Sequence, residues 1–540
     1  MSVDTNNAAF QDALNLIQYT RQSVFLTGKA GTGKSTFLRY VCEHTKKKHV
    51  VLAPTGIAAI NAGGSTMHSF FKLPFYPLLP DDPNLSLQRG RIHEFFKYTK
   101  PHRKLLEQIE LVIIDEISMV RADLIDAIDR ILRVYSHNLR EPFGGKQLLL
   151  VGDVFQLEPV VKNDEREILN RAYPTPYFFS ARVFSQIDLV SIELQKVYRQ
   201  TDSVFVSVLD HIRTNTAGAA DLQLLNTRYG SHIEESEADM YITLATRRDT
   251  VDSINEKKLA ELAGEPITFE GSIEGDFPES SLPTSQELVL KPGAQIIFIK
   301  NDFDRRWVNG TIGVIAGIDE EEETIYVITD DGKECDVKRE SWRNIRYRYN
   351  EKTKEIEEEV LGSFTQYPIR LAWAITVHKS QGLTFSRVVI DFTGGVFAGG
   401  QAYVALSRCT SLDGIQLKKP INRADIFVRP EIVNFAGRFN DRQAIDKALK
   451  QAQADVQYAA AARAFDKGDM EECLEQFFRA IHSRYAIEKP VPRRLIRRKL
   501  GIINTLQEQN KKLKEQMREQ QERLRQYAHE YLLMGNECIT

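Results

Sequence analysis

Uninterrupted apolar runs of strand length recur through the first 160 or so residues, and stretches with helical periodicity separate them. The runs are Val24 to Leu26, Val50 to Leu52, Leu111 to Ile114 and Leu148 to Val151. Such runs between helices are typical of a parallel sheet covered on both faces. Residues 72–104 break the pattern because they are rich in proline, aromatic and basic residues, and they are predicted to form an insertion outside the sheet.

Two later apolar runs, 241–246 and 387–392, predict strands of a second α/β domain. Residues 286–361 differ from both domains, because short runs are separated by turn signals such as "DEEEE" and "DDGK". This pattern predicts a small antiparallel β barrel inserted into the second domain. The acidic run 319–323 is interpreted as the solvated tip of one hairpin.

The chain is rich in alanine, glutamine and charged residues beyond about residue 430, with helical periodicity to its end. Gly468, Cys473, Phe477 and Ala480 resemble the second half of a tetratricopeptide helix pair. Repeats of this kind normally share a core among about three units, and one unit is visible. An ordinary helical hairpin is therefore the alternative.

The last predicted helix, 503–531, can be divided into heptads. Its seam positions hold Ile503, Asn510, Met517, Leu524 and Tyr531, and Leu506, Leu513, Gln520 and Tyr527. A seam asparagine is typical of parallel dimers, but two polar residues weaken the pattern. A monomeric amphipathic helix packing on its own domain fits equally well, so a protein partner or weak dimerisation through 431–540 is an open expectation. The basic run "RRLIRRK", 493–499, is interpreted as either a site for DNA phosphates or a solvated linker.

These patterns together predict an α/β fold of two domains followed by an all-α extension. The predicted segments are 1–188 for the first α/β domain, 189–285 and 362–430 for the second, 286–361 for the barrel, 431–488 for a helical region, and 489–540 for the basic segment with the last helix.

Composition narrows the class of protein. The 540 residues are 42% hydrophobic and 27% charged, as in globular proteins, and the net charge of −3 gives no global attraction to nucleic acid. No apolar run approaches the roughly 18 residues that cross a bilayer, and the N-terminus lacks a signal pattern. Five dispersed cysteines without a C-x-x-C pair fit a reducing compartment. We therefore expect no membrane association and no secretion, with a cytoplasmic location in a bacterium or a nuclear one in a eukaryote.

Residues 28–35, "GKAGTGKS", match the phosphate-loop pattern G-x-x-x-x-G-K-[ST] between a strand-like and a helical segment. The glycines allow backbone N–H groups to converge on phosphate oxygens, and the helix N-terminus adds partial positive charge. Lys34 can reach the β and γ phosphates of ATP, and Ser35 can coordinate Mg²⁺.

Carboxylates follow a second apolar run, in "LVIIDEISMV". Asp115 can hold a water bound to Mg²⁺, and Glu116 can polarise the attacking water, so hydrolysis is predicted. A third run, "LLLVGDVFQL", places Gln156 where an amide could sense the γ phosphate. The alternative is that Asp153 and Gln156 are turn and cap residues.

Six segments then follow in one order along the chain. They are "VLAPTGIAAINAGGSTMHSFF" (51–71), "IIDEISMV" (113–120), "PFGGKQLLLVGDVFQLEPV" (142–160), "LQKVYRQ" (194–200), "WAITVHKSQGLTFSRVVIDF" (373–392) and "AYVALSRCTSLDGI" (402–415). In order and spacing they resemble the petite integration frequency (Pif-one-type) DNA helicases, in the RecD-like branch of helicase superfamily one. The resemblance covers about residues 8 to 430.

The resemblance implies two RecA-like domains that clamp ATP, with single-stranded DNA crossing their top face. It implies that 72–104 is a wedge that splits forked DNA and that the barrel 286–361 is an SH3-like guide. Movement from 5′ to 3′ and a role in genome maintenance, repair or replication follow by analogy alone.

The resemblance also implies roles for single residues. Gln11 would read adenine, and Arg199 and Arg408 would reach the γ phosphate from the second domain. The residues implied to bind nucleotide are Gln11, Gly28, Ala30, Gly31, Thr32, Gly33, Lys34, Ser35, Thr36, Gln381 and Gly382. Those implied to bind DNA are Pro54, Thr55, Gly56, Thr66, His68, Thr376, His378, Lys379 and Ser380.

The two arginines have a physical rationale of their own. A guanidinium brought in by another domain stabilises charge on the γ-phosphoryl oxygens, typically by ~10³ or more in rate, and so couples hydrolysis to domain closure. The alternative for Arg199 and Arg408 is a surface salt bridge, and for His68 and His378 it is packing or capping. Two rival functions stay open: an ATPase that remodels protein complexes without separating strands, and an adaptor whose helices act while the ATPase is degenerate.

Overall fold

The computed structural model of the protein describes residues 4, 7–86, 91–198, 202–231, 240–304, 306–350, 352–353, 355–483 and 490–537. The chain forms two compact units, residues 1–449 and residues 450–540.

The first unit begins with a parallel sheet of six strands in the order β3-β2-β4-β5-β1-β6. The strands are β1 (Val24–Gly28), β2 (His49–Ala53), β3 (Ser65–Thr66), β4 (Leu111–Ile114), β5 (Gln147–Val151) and β6 (Val190–Leu194). Nearly all their residues are buried, as the uninterrupted apolar runs predict. Because β6 pairs with β1 through Val24 and Val190, the first domain extends past the predicted boundary at 188.

Helices cover both faces of this sheet. They are α1 (Ala8–Tyr19), α2 (Lys34–His44), α3 (Gly56–Ala62), α4 (Met67–Phe71), α5 (Arg91–Phe95), α6 (Lys100–Gln108), α7 (Ala122–Tyr135) and α8 (Asn163–Asn170). The described part of segment 72–104 adds no strand to the sheet, as predicted, and it buries Leu78, Phe96 and Tyr98 in the first-domain core. It leaves Phe75 and Tyr76 81% and 52% exposed.

Fourteen strands follow in the described part of the chain. They are β7 (Ile242–Ala245), β8 (Ile267–Glu270), β9 (Ser272–Gly275), β10 (Glu287–Leu290), β11 (Gln295–Phe298), β12 (Ile312–Asp319), β13 (Thr324–Thr329), β14 (Glu334–Val337), β15 (Glu340–Asn350), β16 (Glu355–Gln366), β17 (Ile369–Leu371), β18 (Ala374–Thr376), β19 (Val388–Asp391) and β20 (Ile415–Leu417). The second domain uses β18-β7-β19-β20 as a parallel sheet. Its helices are α9 (Ser203–Arg213), α10 (Ala219–Asn226), α11 (Arg248–Glu261) and α12 (Gln401–Leu406), and the following α13 (Pro430–Ala436) returns to the first domain, where Ile432 joins the core.

The inserted β region is antiparallel, as predicted, but it is wider than 286–361. It runs from β8 to β17 and pairs as β10-β8, β14-β13-β12-β11-β17 and β15-β16-β9. The long hairpin β15–β16 reaches the first domain, where Tyr347 and Tyr349 join the buried core. The backbone N–H of Val51 donates to the Tyr347 hydroxyl at 3.4 Å.

The chain passes into the second unit within α14 (Arg442–Lys467), and α15 (Met470–Ser483) and α16 (Pro490–Glu537) follow. Gly468, with φ of 84°, makes the turn after α14, and Tyr458 and Phe477 bring α14 and α15 into contact at 5.9 Å. A single hairpin of this kind is present in the described residues, in agreement with the plain alternative to a repeat domain.

Helix α16 is longer than the predicted helix 503–531 and includes the backbone of 493–499, so that run is helical, and its two interpretations stay predictions. The side chains of 493–496 and 498–499 lie outside the described residues. The described seam residues of α16 are mostly exposed, for example Leu513 at 58% and Leu524 at 67%. Within its own unit the helix therefore does not bury this seam, and the choice between a packed helix and a coiled coil stays a prediction. None of the helices that the structure describes is long and apolar enough to span a bilayer.

Candidate functional site

The phosphate loop joins β1 to α2 and has a shape that requires glycine. A Cβ on Gly28 would lie 2.5 Å from Thr32 Oγ1 and 2.7 Å from the Leu194 carbonyl. Gly33 caps α2 in the left-handed region, with φ of 89°. The loop therefore presents backbone N–H groups and a helix N-terminus to one space, which fits a phosphate ligand.

Polar groups of this loop are already hydrogen-bonded. Lys34 Nζ donates to the carbonyls of Gly28 at 2.7 Å and Lys29 at 3.0 Å, and Thr32 Oγ1 donates to the Lys29 carbonyl at 2.9 Å. The backbone N–H of Ala30 donates to the hydroxyl of Tyr403, on α12, at 3.2 Å. The first domain's phosphate loop is thus in direct contact with the second domain.

Two carboxylates follow β4 as predicted. The backbone N–H of Glu116 donates to Asp115 Oδ1 at 2.9 Å, and Glu116 itself has φ of 49°. Burial, and then the charge of Asp115, raise the pKa of Glu116 to about 7, while Lys34 and Arg408 oppose the rise. Burial also raises the pKa of Asp115.

A divalent cation fits these donors. Ser35 and Thr36 lie in the first turn of α2, and Ser35 is exposed. A hydroxyl and a carboxylate pair are oxygen ligands of the kind that Mg²⁺ takes, and the charge of a bound cation would offset the repulsion between Asp115 and Glu116. Ser35 and Asp115 are the residues that would hold it.

A turn of the second domain reaches these carboxylates. Gln381, after β18, donates through Nε2 to Glu116 Oε2 at 2.9 Å and to Gln156 Oε1 at 3.2 Å. Glu116 and Gln156 were predicted from strand ends and Gln381 from the family resemblance, and the structure brings the three side chains together. The neighbouring Gly382 has φ of 81° and completes the turn.

Arg408 is 1% exposed, so the alternative of a surface salt bridge is wrong for this residue. Its Nε donates to the Val404 carbonyl at 2.9 Å and its Nη2 to Ser407 Oγ at 3.0 Å. Its charge is close enough to lower the pKa of Glu116 against the other contributions. Its Nη1 also donates to the carbonyls of Ser380 and Leu383 at 3.4 and 3.3 Å, so the guanidinium is held beside the turn that carries Gln381.

Arg199 lies outside the described residues, so its predicted role stays a prediction. The residue before it, Tyr198, donates its backbone N–H to the Gly31 carbonyl at 2.8 Å. Gln11 lies on helix α1, and its adenine-reading role also stays a prediction; the neighbouring Phe10 packs edge-on against Phe37 of α2 at 4.8 Å. Helix α1 therefore lies beside the helix that begins at the phosphate loop.

Two further contacts between the domains were not predicted. Buried Arg213, on α9, lies 3.0 Å from Asp153 Oδ1 and 2.8 Å from Glu193 Oε1. A Cβ on Gly400 would lie 2.2 Å from the Gln156 carbonyl oxygen. Asp153 also accepts a hydrogen bond from the Phe155 N–H at 3.2 Å, which is the turn role given above as the alternative. In addition it forms the ion pair with Arg213. No local motif marks Arg213 or Gly400, because both act through tertiary contacts.

Three predicted DNA-binding threonines occupy turns and caps. Thr55 Oγ1 accepts the Ala58 N–H, Thr66 Oγ1 accepts the Ser69 N–H and Thr376 Oγ1 accepts the Lys379 N–H, each at 3.2 Å. Each hydroxyl proton can still be donated to another acceptor. Pro54 and Gly56 flank Thr55 at the start of α3.

The remaining predicted DNA-binding residues differ in exposure. His68 stacks on the exposed Phe75 ring at 5.0 Å, and burial lowers the pKa of His68 and of His378. Ser380 is fully buried, and its hydroxyl donates to the Val377 carbonyl at 2.8 Å, so in this structure it holds the turn together. Burial lowers the pKa of Lys379 as well.

A cleft of about 50 Å³ lies between α3 and the second domain, and Arg370 and Lys379 line it. Within the described residues, Nε of Arg370 is buried and donates to no atom, while Nη2 donates to the Pro283 carbonyl. Burial lowers the pKa of Arg370 to about 10. The cleft has no carboxylate in its lining, so two cations share it with amides and apolar side chains. The sequence reasoning missed Arg370, and its only signal was a basic residue before "LAWAITVHKSQG".

Comparison with known proteins gives one consistent family. A family profile described as PIF1-like helicase matches residues 4–217. The ATP-dependent DNA helicase Pif1 of Campylobacter jejuni is 33% identical over 412 residues, which is 73% of this chain and 88% of that protein. Human ATP-dependent DNA helicase PIF1 is also 33% identical, over 73% of this chain and 58% of its own length.

Solved structures agree with these relatives. Pif1 from a Bacteroides species in complex with ADP-AlF4 is 40% identical, superposes with a TM-score of 0.74, and is matched over 81% of this chain and 97% of that one. Together with the phosphate loop, the carboxylate pair and the two parallel sheets, these similarities identify the chain as a member of the PIF1-like helicase family.

Proposed function

We propose that this chain hydrolyses ATP to move along single-stranded DNA in the 5′ to 3′ direction and to displace the complementary strand at a fork. Its family makes it an ATP-dependent DNA helicase. The direction, the residue roles, and the use in genome maintenance, repair or replication are the proposed parts.

One observation carries the proposal: Gln381 of the second domain bonds to both Glu116 and Gln156 of the first. A hydrolytic site completed by another domain responds to every change in the distance between the domains. Such a change is what a motor converts into movement along a strand.

The roles of the first-domain residues follow from their chemistry. Lys34 exchanges its loop carbonyls for phosphate oxygens, and Glu116 orients and polarises the attacking water. Mg²⁺ held by Ser35 and Asp115 would neutralise charge on the β and γ phosphates. Gln11 is proposed to read adenine.

The second domain supplies the groups that depend on closure. We assign Arg408, and Arg199 with it, to stabilise the charge that spreads over the γ-phosphoryl oxygens. Gln156 transmits this state, because its side chain contacts Gln381 and its carbonyl lies against Gly400.

The DNA strand is proposed to cross both domains at the cap hydroxyls of Thr55, Thr66 and Thr376 and at His68, His378 and Lys379. Contacts of this kind grip the sugar-phosphate backbone without reading sequence. Arg370 belongs to the same path, because an incompletely paired guanidinium in a cleft without carboxylates attracts a phosphate. Relatives of this chain have been solved with single-stranded and with forked DNA.

Two accessory roles complete the proposal. Segment 72–104 acts as the wedge, because Phe75 and Tyr76 project from it as exposed aromatic rings that can stack on an opened base pair. The inserted β region acts as an SH3-like guide that closes over the strand. Its hairpin β15–β16 is anchored in the first-domain core, so it holds a fixed position relative to that domain.

The test is unwinding of matched duplexes that carry either a 5′ or a 3′ single-stranded tail, with Lys34→Ala as the control. We expect ATP-dependent strand separation on the 5′ tail alone and none with Lys34→Ala. Activity on the 3′ tail alone would refute the direction, and activity in the Lys34 variant would refute the site. DNA-stimulated hydrolysis without strand separation would instead support the protein-remodelling rival, and no hydrolysis would support the adaptor.

A further inference from the structure

The described part of helix α16 has no apolar face covered by the other helices of its own unit. Every described side chain from 504 to 536 is exposed, including Leu506 at 56%, Met517 at 60% and Tyr531 at 76%. A helix of 48 residues gains most of its stability from packing of an apolar face, so exposure on all sides indicates that a partner is needed.

The apolar positions of this helix form one continuous seam of five heptads. The first seam row is Ile503, Asn510, Met517, Leu524 and Tyr531, and the second is Leu506, Leu513, Gln520, Tyr527 and Met534. Apolar seams sustained over about three to four heptads are typical of coiled coils. Eight of the ten positions are apolar or aromatic, and the two polar ones are uncharged.

Charge is kept away from the seam. The outermost row of the helix holds Glu508, Glu515 and Glu522, and Lys511, Lys512, Arg518 and Arg525 lie in the two rows beside it. The rows that flank the seam contain four glutamines, Gln507, Gln509, Gln516 and Gln521, and four charged residues, Lys514, Arg523, Glu530 and Glu537, whose charges cancel. A strongly charged partner has no complementary charge to meet here, whereas a second identical seam does.

The relative orientation of two copies follows from four residues. In a parallel pair Asn510 meets Asn510 of the other copy, and Lys514 faces Gln509. In the antiparallel register that pairs Asn510 with Gln520, Lys514 would instead face Lys514, and like charges at such positions are destabilising. The parallel arrangement satisfies the polar seam residues and brings no like charges together.

We infer that residues 503–534 pair with the same residues of a second copy of this chain as a parallel two-stranded coiled coil, so that each assembly carries two helicase units. This inference does not depend on the direction or the mechanism of unwinding. It concerns a segment that follows the last of the six family-like motifs, which ends at residue 415.

The first test measures the mass of the full-length protein without DNA by light scattering after size exclusion. We expect twice the 61.7 kDa of one chain. The double variant Leu513→Glu with Leu524→Glu should have the mass of one chain, because it places charge in the seam of both copies. The matched control, Thr505→Glu with Gln526→Glu, adds the same charge on the outer surface and should keep the double mass.

The second test sets orientation with Leu513→Cys under mild oxidation, compared with wild type to subtract background from the five native cysteines. A parallel pair brings residue 513 next to its copy, so we expect a crosslinked dimer well above background. ATPase activity per chain should be unchanged in every variant, which shows that the motor unit is folded. A wild type of single mass, a seam variant that keeps double mass, or a dimer in which Leu513→Cys fails to crosslink would each overturn the inference.

Discussion

Replacing Gly400 by alanine should uncouple the two domains at the hydrolytic site. Gly400 precedes α12 with φ of 78°, and a Cβ there would lie 2.2 Å from the Gln156 carbonyl oxygen and 2.4 Å from that of Phe155. Both close atoms are backbone, so no flexible side chain can move aside. The first and second domains must separate at this point.

The size of the effect follows from these distances. Real contacts of a Cβ essentially never fall below 3.0 Å, so the surfaces must move apart by at least 0.8 Å, the difference between 3.0 and 2.2 Å. Misplacement of catalytic groups by about 1 Å costs about 10²-fold in rate, which is roughly 2.7 kcal/mol of transition-state stabilisation. We therefore expect Gly400→Ala to reduce DNA-stimulated ATP hydrolysis about 100-fold.

Alanine variants of two other glycines serve as controls, because they separate the loss of hydrolysis caused by domain separation from the loss of stability caused by backbone strain. Gly395 has φ of 79° and open space around it, so Gly395→Ala measures only the strain of the left-handed region, about 1 to 2 kcal/mol of stability. Gly399 adjoins Gly400, and its Cβ would make an ordinary contact with Phe427 at 3.6 Å. Both control variants should hydrolyse ATP within a few-fold of wild type.

The assay is steady-state ATP hydrolysis with saturating single-stranded DNA, together with DNA binding in the absence of nucleotide and the thermal midpoint. Gly400→Ala should bind DNA without nucleotide as wild type does and should melt near Gly395→Ala. If Gly400→Ala hydrolysed ATP as fast as Gly395→Ala, the contact between Gly400 and Gln156 would have no part in the hydrolysing state, and the reasoning would be refuted.

Gln381→Ala should lose most of the stimulation of ATP hydrolysis by DNA while binding DNA normally, because it removes the bonds to Glu116 and Gln156; full stimulation would contradict the proposed coupling. Arg370→Gln should weaken single-stranded DNA binding and lower the slope of log K against log salt by about one, whereas Lys257→Gln, an exposed cation on α11, should change neither. Burial lowers the pKa of His102 to about 4. Between pH 6.5 and 4 the unfolded chain therefore binds a proton at this histidine while the folded chain does not, and the free energy of unfolding decreases as the pH is lowered through this interval. At pH 5 the free energy of unfolding is lower by about 2 kcal/mol for this reason. The thermal midpoint of His102→Phe should therefore fall less than that of wild type between pH 7.5 and 5, and equal falls in the two proteins would show that His102 does not cause the pH dependence.

The residues that the sequence placed correctly act through local geometry. The phosphate loop needs glycine at Gly28 and Gly33 because its own backbone turns there. Eight consecutive residues are therefore enough to predict this loop from the sequence. Asp115 and Glu116 end a buried strand, which is also a local pattern. Gly400 and Arg370 depend on groups more than eighty residues away along the chain, and no window of sequence contains both partners.

The element boundaries failed for similar reasons. Strand β8 begins at Ile267, before the predicted start of the inserted region, because its pairing with β10 is fixed by tertiary contacts. Helix α16 begins at Pro490, before the predicted helix start at 503 and three residues before the run 493–499. A proline in the first helical turn removes no intrahelical hydrogen bond, so "KPVPRR" is compatible with a helix start as well as with a loop.

The hydrogen bonds within the phosphate loop bear on how tightly nucleotide is held. Lys34 already donates to two loop carbonyls, and the Ala30 N–H already donates to Tyr403. Nucleotide therefore exchanges one set of partners for another, and only the difference between the two sets contributes to its affinity. When ADP leaves, the Lys34 ammonium and the Ala30 N–H return to these partners and are not left without a hydrogen-bond acceptor. The loop carbonyls and the Tyr403 hydroxyl of the second domain therefore favour product release.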